Sequence, residues 1–188
     1  MVRNAQIEDI ESILEICEKN LISNKKTHSN SEISNQGFLI TKYPHSFFAD
    51  LINDPQNNIL LIIEKNQQKL GYLSAFNFNI APEKVRESLQ ENNQNLSPNF
   101  FDQKILYYSQ IAKMPDAKGV GNALVLAMIQ KAKEQNYDYI FCHIVESPIR
   151  NIASINFHEN LGFKRIGQQI DHEKNLTKGV YLIKLTNK

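Results

Sequence analysis

The segment that most constrains the fold of this chain is residues 114–124, which read MPDAKGVGNAL. Pro115 has no amide hydrogen for a strand ladder and ends the apolar run before it. Gly119 and Gly121 permit unusual backbone angles, and the pattern becomes helical directly after them. Free amides at the start of a helix, together with the helix dipole, form an anion site. The segment therefore predicts a strand-to-helix turn that either binds phosphate or is a plain connection.

The glycine spacing alone does not identify a ligand. The segment lacks the Gly-Lys-Ser/Thr ending of a Walker loop and the third glycine of a dinucleotide fingerprint. Ala123 is small where the helix must pack closely, and Lys118 can add a positive charge.

The segments around this turn predict strands at 105–114 and 139–146 and a helix at 121–135. Strand, helix and strand in this order join two parallel strands. Elsewhere, apolar periodicity and turn residues predict helices at 7–21, after Pro44, at 83–91 and at 151–161, and strands at 59–64, 70–78, 164–169 and 180–185. The strands at 59–64 and 70–78 are predicted to form an antiparallel hairpin, and Gly162 is predicted to end the last helix in the left-handed conformation. Polar residues 23–36 are predicted to be a loop. Residues 79–103 are interpreted as an insertion that either shapes a substrate pocket or is a mobile surface excursion.

Composition is that of an ordinary globular protein. The chain has 188 residues, 41% of them hydrophobic and 22% charged, which suits one domain over residues 1–188. The net charge of +1 predicts no general affinity for nucleic acid or for anionic membranes.

Cysteine and histidine usage predicts no metal site. Cys17 and Cys142 each lie in an apolar run, and the five histidines show no ligand spacing. The first residues lack the apolar stretch of a signal peptide, and no run of about 18 apolar residues predicts a membrane span. We therefore expect a cytoplasmic protein.

Two stretches resemble the signatures of the GNAT superfamily of N-acetyltransferases. The acetyl-CoA signature, Arg or Gln, two residues, Gly, one residue, then Gly or Ala, reads here as Lys118, Gly121 and Ala123. Lys stands here in place of Arg or Gln; compared with Arg, it keeps the positive charge and loses the fork geometry. The second signature, an Asn with Ala or Ser three positions on and an aromatic-Glu-x-Leu-Gly-Phe ending, resembles residues 151–163, NIASINFHENLGF.

The resemblance implies an α/β (α+β) fold, a mixed, largely antiparallel twisted sheet with a central parallel strand pair, flanked by helices. It also implies transfer of an acetyl group from acetyl-CoA to a primary amine of a small molecule or protein, by direct attack on the thioester. The implied cofactor contacts are Ile111, Ala112, Lys113, Lys118, Gly119, Val120, Gly121, Asn122 and Ala123, with Asn151 and Ser154 on the pantetheine arm. Asn151 could instead be only a helix cap.

The resemblance also suggests catalytic residues. His158 stands where many relatives have the Tyr that is often assigned to protonate the departing thiolate, and a histidine with a pKa of about 6.5 can donate a proton near neutrality. A packing role for His158 is the alternative. Glu146, at the carboxyl end of the second parallel strand, is a candidate base, and Tyr107 and Tyr108 could relay a proton from the amine through water. A Glu at a strand end and a Tyr in a strand are usually structural, which is the alternative for each.

The sequence leaves other functions open. A catalytically silent acyl-CoA-binding regulatory module would keep the same motifs, and a nucleotide-binding protein could use the same glycine turn. The acceptor and the formation of a homodimer are not determined by any motif.

Overall fold

The computed structural model describes residues 1–25, 27–92 and 96–185. Contacts divide these residues into two compact units, so a single domain over residues 1–188 stays a prediction. The strands are β1 Val2–Asn4, β2 Asn58–Lys65, β3 Gln68–Asn77, β4 Ile105–Lys113, β5 Tyr139–Ser147, β6 Lys164–Asp171 and β7 Leu176–Lys184. The helices are α1 Ile10–Asn20, α2 Asn30–Gln36, α3 His45–Asn53, α4 Glu83–Glu91, α5 Val120–Glu134 and α6 Ile152–Asn160.

The first unit comprises the described residues within Met1–Lys26, Phe38–Phe76 and Ser109–Gln135. Its strands pair in the order β1-β2-β3-β4. The β2–β3 hairpin is antiparallel, as predicted, and its turn residues Asn66 and Gln67 both have positive φ, as a two-residue turn matched to the strand twist requires. Ile10, Ile13 and Cys17 of the predicted helix 7–21 are buried in α1, whereas Ile7 lies before α1 and is exposed.

Asp9 is buried and forms ion pairs with the partly exposed Arg3 and Lys69 at the start of this unit. Its carboxylate accepts hydrogen bonds from Arg3 at 2.6 and 2.9 Å and from the Gln6 amide at 2.9 Å, and lies 3.1 Å from Lys69. Burial raises the pKa of Asp9, but these partners together lower it to about 2. The ionised carboxylate therefore stabilises the folded protein.

Replacing Asp9 with Asn should lower the free energy of unfolding at pH 7 by about 2 kcal/mol. Because the folded pKa lies below the unfolded value of about 3.9, this contribution is present above pH 4 and is lost as the pH falls towards 2. Urea unfolding at pH 7 and at pH 3 measures it. Glu11→Gln, at an exposed position of α1, is the control. An equal loss for both variants at pH 7 would contradict the assignment.

The second unit comprises the described residues within Thr27–Gly37, Asn77–Tyr108 and Asn136–Lys188. Its strands pair in the order β4-β5-β7-β6. Strands β4 and β5 are parallel, with Ile105 opposite Tyr139, while β5–β7 and β6–β7 are antiparallel. The predicted mixed sheet with a parallel pair is confirmed. Gly162, with φ of +91°, follows α6 as the predicted left-handed stop.

The prediction of a loop over residues 23–36 is wrong for its second half, which forms α2. Ser29 accepts from the Glu32 amide while the Glu32 carboxylate accepts from the Ser29 amide, a capping box that the sequence already contains. The Ser34 hydroxyl donates to the Arg150 carbonyl at 2.5 Å, which places α2 beside the start of α6. The three-residue strand β1 was also not predicted.

The insertion at 79–103 contains α4 as predicted, and its described part is packed onto β5 and β6. Asn92 bonds the main chain of Gln168 on both sides, donating to its carbonyl at 2.9 Å and accepting from its amide at 3.0 Å. Ser88 lies 2.7 Å from His143 Nε2. These contacts disfavour a mobile excursion for the described part; residues 93–95 lie outside the described residues.

Within the described ranges, no helix has the length and apolar character needed to cross a bilayer. The same ranges contain no cluster of three His, Cys, Asp or Glu side chains that could hold a metal ion. Cys17 and Cys142 are free and buried.

Candidate functional site

The turn between β4 and α5 presents a row of unpaired backbone amides. Gly119 has φ of +74° and is the N-cap of α5, without a side-chain cap. Between Lys118 and Asn122, no backbone amide finds an acceptor among the described residues. A Cβ on Gly119 would meet nothing within 4 Å, so the space beside it is open. An exposed helix start with free amides can bind an anion, and exposed Lys118 adds positive charge.

Ala123 differs from the other residues of this turn. Its amide donates to the Gly119 carbonyl at 3.2 Å as the first hydrogen bond of α5. The Ala123 amide is therefore already used, and the geometry favours a packing role for this small residue.

Gly71 on β3 allows the turn to lie close to the sheet. A Cβ at Gly71 would be 2.6 Å from Val120 Cγ1, 2.8 Å from the Ala112 carbonyl oxygen and 3.3 Å from Lys113 Cα. Only a residue without a side chain fits there. Sequence analysis missed Gly71; the available signal was a lone glycine inside the apolar strand 70–78.

The end of β4 is held by side chains and main chain of the first unit. The Asn20 amide donates to the Lys113 carbonyl at 2.9 Å, and the Met114 amide donates to the Leu70 carbonyl at 2.8 Å. Ala112 is buried, while Ile111 and Lys113 are partly exposed. The Lys113 ammonium donates to the Pro115 carbonyl at 3.0 Å.

Asn151 caps helix α6. Its side-chain oxygen accepts from the Ser154 amide at 3.1 Å, and Asn151 is 5% exposed. Asn151 is therefore a helix cap, as the sequence allows, and its contact with a cofactor stays a prediction.

His158 is packed among aromatic rings and bound to Ser154. Its Nδ1 lies 2.7 Å from the Ser154 carbonyl oxygen and 3.3 Å from the Ser154 hydroxyl. Ring centroids of Tyr108, Phe157 and Phe163 lie 5.1–5.3 Å from its own. Burial lowers the pKa of His158 to about 4, although the bond to the Ser154 carbonyl raises it. A neutral ring at pH 7 does not favour the acid role expected from the sequence.

Glu146 is engaged by an arginine. Arg165 donates to both carboxylate oxygens at 2.8 Å, and the Tyr181 hydroxyl donates at 3.2 Å. The hydrogen bonds from Arg165 are the main reason that the pKa of Glu146 is lowered. A paired carboxylate of lowered pKa is a weak proton acceptor, so this geometry favours a structural role.

Tyr108 is buried beside His158, with ring centroids 5.3 Å apart. Its hydroxyl has no hydrogen-bond partner within the described part of the chain. Of the three predicted catalytic residues, the structure thus brings Tyr108 and His158 together, while Glu146 pairs with Arg165.

Comparison with known proteins agrees with these features. The model of the acetyltransferase (GNAT) family matches residues 27–163. Similar solved structures include Ard1 from Thermoplasma volcanium, with a TM-score of 0.66 and 15% identity over 99% of this chain and 97% of that one. The structure of yncA from Salmonella typhimurium with its cofactor acetyl-CoA has a TM-score of 0.62 and 18% identity over 100% of this chain and 95% of the other.

A third similar structure is the ribosomal-protein-S18-alanine N-acetyltransferase from Escherichia coli, with a TM-score of 0.63 and 12% identity over 99% of this chain and 94% of that one. No curated protein is a significant match to the sequence. These identities show the fold alone, whereas the family match covers well over half of the chain. The chain therefore belongs to the acetyltransferase (GNAT) family.

Proposed function

We propose that this protein transfers an acetyl group from acetyl-CoA to a primary amine, by direct attack of the amine on the thioester. The observation that carries the proposal is the row of unpaired amides from Lys118 to Asn122 at the open start of α5. Membership of an acetyltransferase family, and the acetyl-CoA found with yncA, support acetyl-CoA as the ligand of this turn.

The turn would bind the pyrophosphate of the cofactor. Backbone amides suit this task because they donate without a side chain to order, and the dipole of a 15-residue helix adds to them. Lys118 supplies charge at the rim, which explains why a Lys can stand in for Arg or Gln in the motif. Ile111, Ala112 and Lys113 would offer backbone groups to the pantetheine arm.

Asn151 and Ser154 would complete the cofactor contacts. Asn151 is buried, and its side-chain oxygen accepts from the Ser154 amide at the start of α6. The partly exposed Ser154 hydroxyl lies one turn from His158. What supports both positions as pantetheine contacts is the likeness of residues 151–163 to the second family signature.

Acceptor choice would depend on the segments outside the two motifs. Helix α2 packs beside the start of α6, and α4 packs on β5 and β6, so both are ordered enough to shape a pocket.

The test is thiol release from acetyl-CoA with spermidine, lysine or an alanine-initiated peptide. We expect release above the acceptor-free rate for at least one amine, and acetylation of that amine by mass spectrometry. Acetyl-CoA binding without release across the panel would favour the silent regulatory module. Protection from heat by ATP but not by coenzyme A would favour a nucleotide-binding protein and overturn the proposal.

A further inference from the structure

Tyr108 and His158 each carry a polar atom that forms no hydrogen bond with any residue the structure describes. The Tyr108 hydroxyl is buried and forms no hydrogen bond with any described residue. His158 is 3% exposed, and only its Nδ1 is hydrogen-bonded in the part of the chain that the structure describes. A buried hydroxyl without a partner, as in Tyr108, is rare in folded proteins unless a ligand uses it.

Ser154 fixes the position of the proton on His158. A carbonyl oxygen can only accept, so the 2.7 Å contact with the Ser154 carbonyl places the hydrogen on Nδ1. The ring is neutral at pH 7 because burial lowers its pKa to about 4. Nε2 is then an acceptor and has no proton to give.

The Tyr108 hydroxyl is a hydrogen-bond donor, whereas His158 Nε2 is an acceptor. Burial, with a smaller effect of the neighbouring Cys142 thiol, raises the pKa of Tyr108 well above 10. Its hydroxyl therefore keeps its hydrogen and can donate. No charged side chain shifts the pKa of either ring, so the two proton positions do not depend on an ion pair.

We propose that Tyr108 and His158 form a donor–acceptor pair for a bound ligand, with the Tyr108 hydroxyl donating and His158 Nε2 accepting. The proposal rests on the proposed acetyl transfer and deepens it, because it replaces an acid role for His158 with that of a neutral acceptor. The matching ligand chemistry is an N–H hydrogen together with a carbonyl oxygen. The pantetheine amides of coenzyme A have both groups. At the reacting centre, the attacking amine supplies the N–H hydrogen and the thioester supplies the carbonyl oxygen.

The proton positions are measured directly on the protein without ligand. With ¹⁵N-labelled histidine, NMR should show His158 protonated on Nδ1 and unprotonated on Nε2 from pH 5.5 to 8.5. A proton on Nε2, or titration near pH 6.5, would overturn the proposal whatever the protein binds.

Ligand contact is tested with Tyr108→Phe and His158→Phe. Both variants keep a ring in place, and Tyr139→Phe on β5 is the control for loss of a hydroxyl. Tyr108→Phe should leave the thermal stability unchanged or raise it, because it removes an unpartnered hydroxyl. It should still lower either the affinity for coenzyme A or kcat/KM for the amine by about tenfold. If Tyr108 were purely structural, the substitution would not weaken binding or turnover while leaving the thermal stability intact.

Two measurements decide whether the pair binds the pantetheine arm or the acceptor amine. Weaker coenzyme A binding by calorimetry in both variants assigns the pair to pantetheine. Unchanged coenzyme A binding with a lower kcat or a higher KM for the fastest amine of the panel assigns it to the acceptor. Unchanged values for both measurements would overturn the pair. A wild-type protein that binds coenzyme A but acetylates none of the three amines would overturn the proposed function instead.

Discussion

Replacing Gly121 with Asp should abolish coenzyme A binding while leaving the fold intact. A carboxylate about 4 Å from a phosphate costs roughly 4 kcal/mol near a protein surface, which is about a thousandfold in affinity. The same carboxylate lies in the first turn of α5, where the helix dipole stabilises a negative charge, so the fold should tolerate it. Calorimetric titration with coenzyme A measures the loss, and circular dichroism measures the fold.

The matched control is Gly121→Asn, which has the same shape without the charge. We expect Gly121→Asn to keep a measurable part of the affinity, because the amides from Lys118 to Asn122 remain in place. Wild-type affinity in a folded Gly121→Asp protein would show that no phosphate lies at this helix start.

Replacing Gly71 with Ala should destabilise the protein and weaken coenzyme A binding together. The added Cβ would lie 2.8 Å from the Ala112 carbonyl oxygen, a backbone atom that cannot move without shifting the end of β4. The second contact, 2.6 Å from Val120 Cγ1, presses on the first residue of α5. Such overpacking costs about 1–3 kcal/mol, and the displaced turn should lose about tenfold in affinity.

Ser74→Ala is the control for Gly71→Ala on the same strand. Ser74 is fully buried and its hydroxyl has no partner among the described residues, so the smaller side chain introduces no clash. Urea unfolding and calorimetry should place Ser74→Ala near the wild type. Equal effects of the two substitutions would show that β3 is sensitive to any change and that Gly71 has no special role.

The elements around the phosphate turn could be predicted because each has a local cause. Pro115 ends a strand, Gly119 permits a positive φ, and the helix after it follows an apolar period that the sequence displays. The hairpin at 58–77 and the helix after Pro44 were found for the same reason. Such signals act over a few residues and need no knowledge of the rest of the chain.

Helix α2 shows a local signal that was overlooked. Residues 23–36 are polar and rich in Ser and Asn, which favours a loop on composition. The Ser29–Glu32 capping box outweighs that composition, because it satisfies the first amides of the helix. The contact of Ser34 with Arg150, 116 residues along the chain, then holds the helix in place.

The chemistry of the site residues could not be predicted, because it depends on distant partners. The position of Glu146 at a strand end suggested a base. In the structure, Arg165, 19 residues away on β6, donates to both of its carboxylate oxygens. His158 looked like an acid because its ordinary pKa is near 6.5, but burial among aromatic rings lowers that pKa to about 4. Residue type indicates which reactions are available, and packing decides between them.

The central claim is that the free amides at the start of α5 bind the diphosphate of coenzyme A. Titration of ¹⁵N-labelled protein with coenzyme A and, separately, with pantetheine tests it most directly, because pantetheine has the amides and the thiol but no phosphate. We expect the amide resonances of Gly119, Val120 and Gly121 to shift with coenzyme A and to stay unchanged with pantetheine. Coenzyme A that binds while these three resonances remain in place would contradict it.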